Sequence, residues 1–208
     1  MYVPKAFAVD DRAALDAVIR DNGFGLLVTQ GDGRPFATHL PFLLEGDSLV
    51  AHMARANPQW RDFAVAGEAG GAEALCVFQG PHAYVSPRWY AAGNAVPTWN
   101  YVAVHVYGVP QIVDDPAVVY DQMARLTAAY EMGSEAPWDL AGADRDTIDG
   151  MLRAIVAFRV PITRIEGKFK LNQNRDAADR RGVVAALGAA DDPGARDVAA
   201  LMAAREDE

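Results

Sequence analysis

Hydrophobic and polar positions alternate residue by residue through Val96–Gly108, which reads VPTWNYVAVHVYG. Val102, Val104 and Val106 fall on one face; Tyr101, Ala103, His105 and Tyr107 fall on the other. A period of two with β-branched residues predicts a strand. Two usable faces suit a strand inside a barrel: valines toward a core, Tyr and His toward a ligand or partner subunit. The plainer reading of the second face is a half-buried surface.

The same pattern extends along the chain. Asp10 is a plausible cap for a short helix with Leu15, Val18 and Ile19 on one face, stopped by Asn22-Gly23. Phe24–Gln30 reads as a strand, and Gly31-Asp32-Gly33 as a tight turn. Arg34–Leu44 reads as a second strand, with Pro41 marking an edge, bulge or interruption, and Ser48–Met53 as a third. Asn57-Pro58 predicts a helix start, a side-chain cap followed by proline, with Trp60 and Phe63 turned inward. Such a start, with Arg55 beside it, is a natural anion site. The alternative is an ordinarily capped helix. After a glycine-rich connector at Glu68–Ala72, a fourth strand covers Ala74–Gln79 and ends at Gly80-Pro81. Tyr84–Ala95 is irregular and aromatic, and such loops cover pockets or interfaces.

Beyond the central strand, Gln111–Val113 reads as a further short strand. Asp115-Pro116 opens a helix with Val119, Met123, Leu126 and Tyr130 on one face. Met132–Asp144 is loose, a short helix runs through Met151 and Leu152, and Val156–Leu171 is a long extended run in which Pro161 implies an edge or bulge. From Asp176 onward the chain is alanine-rich and helical, with Val184, Leu187, Val198, Leu201 and Met202 apolar and a frayed Glu-Asp-Glu end. Short strands punctuated by turns, with helices between and after them, predict an antiparallel barrel with peripheral helices, mainly β (α+β), rather than alternating βαβ units.

Composition narrows the function. The 208 residues carry a formal charge of −9, which argues against a generic nucleic-acid binder. No run approaches the ~20 apolar residues of a membrane span, and the N-terminus lacks a secretory pattern. Cys76 is the single cysteine, which fits a reducing cytoplasm and reads as a small apolar strand residue. His39, His52, His82 and His105 show no metal-ligand spacing, so no metal is expected. No GxSxG, Walker loop, activated thiol or identifiable general base is present, so catalytic residues stay unassigned. The positive signal is GKFKLNQNR, Gly167–Arg175. Two of only three lysines, Lys168 and Lys170, share a strand face there, followed by amide donors that could grip a phosphate. The alternative is a solvated basic turn.

MYVPKAF, THLPF, ARANPQW, FQGPHAYVSPRWY, VPTWNYVAVHVYG, PITRIEGKFKLNQNR and ADRRGV, taken as a collinear set from Met1 to about Leu187, resemble the PaiB-type FMN-binding negative transcriptional regulators. The resemblance implies an FMN-binding split β-barrel shared by two subunits, with residues 1–175 as the barrel domain and 176–208 as a helical extension packed on it. It places Thr38, His39, Leu40 and Pro41 along the flavin ring, and His52, Arg55 and Asn57 near the ribityl-phosphate chain. Trp99, Asn100 and Tyr101 fall at the subunit interface beside the pocket, and Lys168, Lys170, Gln173 and Asn174 near a ligand or partner. Asn172 stands where the family pattern has serine. Residues 189–208 lie outside the match. The function implied is negative transcriptional regulation by a homodimer; the net charge of −9 predicts that any direct DNA contact is weak. A flavin-dependent oxidoreductase and a cofactor-free dimer are the competing readings.

Overall fold

The computed structural model describes residues 1–31, 33–64, 72–91 and 95–205. Asp32 of the expected turn, residues 68–71 of the glycine-rich connector, residues 92–94 of the aromatic segment and the terminal 206–208 lie outside the described residues. The chain forms two compact units: Met1–Asp21, Gln79–His105 and Glu166–Glu208 make the first; Asn22–Phe78 and Val106–Ile165 make the second.

In the second unit, strands β2 (Phe24–Gly31) and β3 (Arg34–Pro41) form a hairpin with Leu27 opposite Thr38 and Val28 opposite Ala37; β1 (Ala8–Val9) belongs to the first unit. Gly33, with φ at 73°, occupies the left-handed region at the turn, which glycine adopts without steric cost. On its other side β2 pairs with β6 (Ala74–Val85), Leu26 facing Val77, so β3 is left as the edge strand. Pro41 ends β3, and β4 (Leu43–Glu45) begins two residues later, so the proline marks an interruption. A four-stranded antiparallel sheet follows the order β4–β5–β9–β8, with β5 at Ser48–Ala54, β8 at Gln111–Val113 and β9 at Ile155–Pro161. His52 stands opposite Ala157 in it. Helix α2 (Pro116–Glu131), capped by Asp115, and α3 (Arg145–Arg153), capped by Asp144, pack through Met123, Leu126, Leu140 and Ile148. Gln122 is buried in α2 and donates Nε2 to the Ala51 carbonyl at 2.9 Å, satisfying a polar group inside the layer. Tyr130, expected on the apolar face, is exposed.

The first unit orders its strands β1–β10–β7–β6, with β7 at Thr98–Gly108 and β10 at Arg164–Lys170; β6, β7 and β10 run through both units. Ala8 faces Lys168 and Val9 faces Gly167. Helix α1 (Arg12–Asp21) lies directly on β10, since a Cβ at Gly167 would sit 2.1 Å from Leu15 Cδ2. Its first turn is capped by Asp11, one residue beyond the expected Asp10, because Asp11 Oδ1 accepts from the Ala13 amide at 3.0 Å. Helices α4 (Ala177–Gly188) and α5 (Pro193–Ala204) complete the unit, burying Val183, Leu187, Val198 and Met202.

The central strand matches its pattern: Val102, Val104 and Val106 are fully buried and the alternate positions half-buried. The end expected for β6 at Gly80-Pro81 is corrected, since the strand continues to Val85. Gly80 permits close packing, because a Cβ there would meet Val102 Cβ at 3.1 Å. The Gly-Pro signal surfaces instead as a change of phase: buried positions are even-numbered through Gly80 and odd-numbered from Ala83. The fold class is the α+β, antiparallel architecture expected from the pattern, and the split barrel is the one that the resemblance implies.

Candidate functional site

The second unit gathers one set of expected ligand residues around edge strand β3. Thr38 is half-buried and His39 exposed, the imidazole stacked on Phe24 with ring centroids 5.9 Å apart. The Leu40 side chain is buried, and Leu40 stands opposite Gly25 in the hairpin. Asn57 Nδ2 donates to Thr38 Oγ1 at 3.0 Å, tying the exit of β5 to the edge strand. Asn57 Oδ1 accepts from the Gln59 amide, which is the expected side-chain cap. The element it caps differs from expectation. Pro58–Ala64 is a seven-residue 3₁₀ helix, too short for the summed dipole of an α-helix. The anion site expected of an α-helical start is therefore withdrawn. Phe63 is buried, while Trp60 is half-buried and donates Nε1 to the Arg55 carbonyl at 3.0 Å.

Gln59, within ANPQW, organises this corner. It is almost fully buried, and its Nε2 lies 3.1 Å from the Leu27 and Phe36 carbonyls and from Thr29 Oγ1. It thus clips both hairpin strands beneath β3. The available signal was a glutamine directly after the Asn-Pro cap, where an apolar residue suits an amphipathic helix. His52 is half-buried, and its Nδ1 is buried without a hydrogen-bond partner among the described residues. Burial lowers its pKa and favours the neutral imidazole. Arg55 donates Nε to the Arg153 carbonyl at 2.9 Å and Nη2 to the Ile155 carbonyl at 2.7 Å, capping the C-terminal end of α3.

The first unit holds the remaining expected residues. Trp99 is 53% exposed and meets Tyr84 edge-on at 6.1 Å and His82 at 6.2 Å, forming an aromatic surface cluster. Asn100 is fully buried and its Nδ2 donates to Met202 Sδ at 3.3 Å. Lys168 is buried, donates Nζ to the Tyr2 carbonyl at 3.1 Å and lies 5.2 Å from the Tyr101 ring. Lys170 donates to the Trp99 carbonyl at 2.6 Å and to Thr98 Oγ1. Burial, and then the Lys168 charge, lower its pKa. Gln173 Oε1 accepts from the Leu171 amide at 2.7 Å, and Asn174 is exposed. Much of the donor capacity of GKFKLNQNR is spent within its own unit. Asn172, at φ 61°, occupies the left-handed region, which asparagine tolerates better than serine. Cys76 is buried and its thiol pushed up to about 12 by desolvation, consistent with a packing role. No His/Cys/Asp/Glu cluster able to hold a metal is found among the described residues.

These donors fit a flavin mononucleotide. An edge strand offers unpaired backbone groups to ring heteroatoms, hydroxyl and imidazole groups suit ribityl hydroxyls, and a guanidinium suits phosphate. The partnerless His52 Nδ1 is the most direct sign of a missing polar ligand. The fold and the family match that follows define the class, a flavin-binding split-barrel protein. The chain belongs to the family described as "Putative FMN-binding domain", whose profile matches residues 1–164, and is of the PaiB type. FMN is accordingly its cofactor. It is 36% identical to the Protease synthase and sporulation protein PAI 2 of Bacillus subtilis, over 97% of this chain and 96% of that one. Among solved structures, the FAD and heme binding protein of Mycobacterium smegmatis superposes with a TM-score of 0.63 at 20% identity, covering 84% of this chain and 78% of that one. The flavocytochrome Anf3 of Azotobacter vinelandii gives 0.65 at 16% identity, covering 86% and 78%. At those identities the likeness is one of fold.

Proposed function

We propose that the chain is a homodimeric FMN-binding regulatory protein of the cytoplasm, acting on transcription without contacting DNA by itself. The observation that carries this reading is the end-to-end similarity to the sporulation protein, which spans both units and the C-terminal helices. In this reading Thr38, His39, Leu40 and Pro41 line the ring. His52 and Asn57 meet the ribityl chain and Arg55 complements the phosphate. Trp99 and Tyr101 sit at the dimer interface with Lys168, Lys170, Gln173 and Asn174 near it, while Asn100, fully buried against Met202, is left a packing role. Residues 1–175 act as the barrel domain and 176–208 as its helical extension. Bound FMN supplies redox chemistry and a visible chromophore; the protein supplies binding and orientation.

The exposed aromatic cluster supports the dimer, since exposed aromatics of this kind are enriched at interfaces. The test is titration of purified protein with FMN, following fluorescence quenching, together with light scattering for mass. Quenching at one flavin per chain and a two-chain mass are expected. A one-chain mass at high concentration removes the dimer, and absence of quenching removes the flavin. Bleaching by NADPH with reoxidation by an acceptor replaces the regulatory reading with an oxidoreductase.

A further inference from the structure

The second unit also contains a cavity of about 330 Å³ between β8, β9, α2 and α3. Its floor is apolar: Val119, Leu152, Val156 and Ala157. Three arginines, Arg55, Arg145 and Arg153, stand on its lining. Thr38, His39, Leu40, Pro41, His52 and Asn57 do not reach it. In a chain of net charge −9, three guanidiniums over one apolar floor are a local reversal of sign.

The arginines differ in how far they are engaged. Arg145 pairs with Asp149 at 2.9 Å and lies 4.5 Å over the Tyr120 ring, which fixes its position. Arg55 is held by its two bonds to the Arg153 and Ile155 carbonyls. The Arg153 guanidinium has no hydrogen-bond or ion-pair partner among the described residues. Asp149 is already matched to Arg145, and Asp114 is the remaining acid on the lining, so positive charge is in excess.

We propose that this cavity binds a small organic carboxylate with a flat apolar body, its carboxylate on Arg153 and its body on the Val119–Leu152–Val156 floor. The volume lies at the lower end of small-molecule sites, which suits a one- or two-ring acid. Arginine pairs a carboxylate through parallel N–H donors, and the apolar floor rewards a body that inorganic phosphate lacks. The site would take an effector or substrate in addition to the flavin. It shares only Arg55 with the proposed cofactor contacts.

The experiment is calorimetric titration of FMN-loaded protein with 2-naphthoate, its neutral carboxamide and inorganic phosphate. Saturable naphthoate binding that weakens with salt, no binding of the carboxamide, and much weaker binding of phosphate are expected. Arg153→Gln should weaken naphthoate by about ten- to a hundredfold, the loss of one or two charge-assisted contacts. FMN binding should be unchanged in that variant, which also shows that it folds. Equal binding of the carboxamide or of phosphate, insensitivity to Arg153→Gln, or displacement of FMN by naphthoate overturns the proposal. Failure of FMN to bind while apo-protein still takes naphthoate through Arg153 defeats the flavin reading alone.

Discussion

The Asn57 side-chain amide donates to the Thr38 hydroxyl at 3.0 Å, joining the segment that leaves β5 to the exposed edge strand of the hairpin. Asn57 also caps the Gln59 amide, so its truncation removes two bonds while Thr38→Val removes one. A double-mutant cycle in urea unfolding isolates the shared bond, with an expected coupling of about 1 kcal/mol. A coupling indistinguishable from zero would show that the two residues act independently.

Arg55 carries two loads, the carbonyls at the end of α3 and the proposed phosphate of FMN. Arg55→Ala should weaken FMN by about one to two orders of magnitude, from lost charge-assisted bonds. Riboflavin, lacking the phosphate, should lose much less. Flavin fluorescence quenching with both ligands distinguishes the loads, because a purely structural effect of lost α3 capping would weaken the two equally.

Acid should destabilise the protein through two half-buried histidines. Burial lowers the pKa of His52 from its ordinary 6.5. His105 is lowered by burial and then by the N-terminal amino group, with Glu166 opposing. In the window from 6.5 down to the lowered values, the unfolded chain binds protons that the folded chain refuses. Stability is therefore greatest above 6.5 and falls as pH drops through that window. Urea unfolding at about pH 7.5 and about pH 5.5 should show this loss, and His52→Gln should reduce it. An unchanged pH dependence in the variant would exonerate His52.

Asn172 combines a left-handed backbone with a bond from Nδ2 to the Tyr90 hydroxyl at 3.3 Å. Asn172→Ala should cost about 1–3 kcal/mol in thermal or urea unfolding, from strain plus the lost bond. Asn172→Gly keeps the backbone comfortable and should cost less than alanine. The reverse order would mean that side-chain burial, not backbone geometry, governs this position.

Periodicity exposed what depends on single elements. The alternation of Val102, Val104 and Val106, the Asp115-Pro116 helix start and the break at Pro41 are all local, and each is present in the fold. What it hid depends on partners distant in sequence. β6 outruns Gly80-Pro81 because the neighbouring strand at Val102 needs the space that glycine leaves. Gln59 is buried because carbonyls of both hairpin strands converge on it, a demand invisible in a helical pattern. The basic run at Lys168–Arg175 looked available for a ligand, yet Tyr2, Thr98 and Trp99 claim its lysines. Arg145 and Arg153 carry no local signal, since charges on a short helix ordinarily read as a solvated face.

The same engagement argues that the protein binds DNA poorly. Helices α4 and α5 are adjacent and joined by only four residues, a spacing that invites comparison with a DNA-reading helix pair. Their charges do not suit that role. Arg196 of α5 donates to the Ala190 and Asp191 carbonyls, Asp197 follows it, and Arg205 lies over the Phe169 ring. On the other side, Arg175 covers the Tyr90 ring near Asp179, and Arg180 donates to the Arg175 carbonyl. Arg181 remains exposed on α4, too little to neutralise a run of phosphates in a chain of charge −9. Non-specific binding of even ~10⁻⁴–10⁻⁶ M at physiological salt depends on such neutralisation. Fluorescence anisotropy with promoter and scrambled duplexes should therefore show weak binding that is equal for both and lost as salt rises, with Arg181→Ala changing it only slightly. Sub-micromolar, sequence-selective binding that survives physiological salt would establish a direct repressor and require a cationic face that the helix pair lacks.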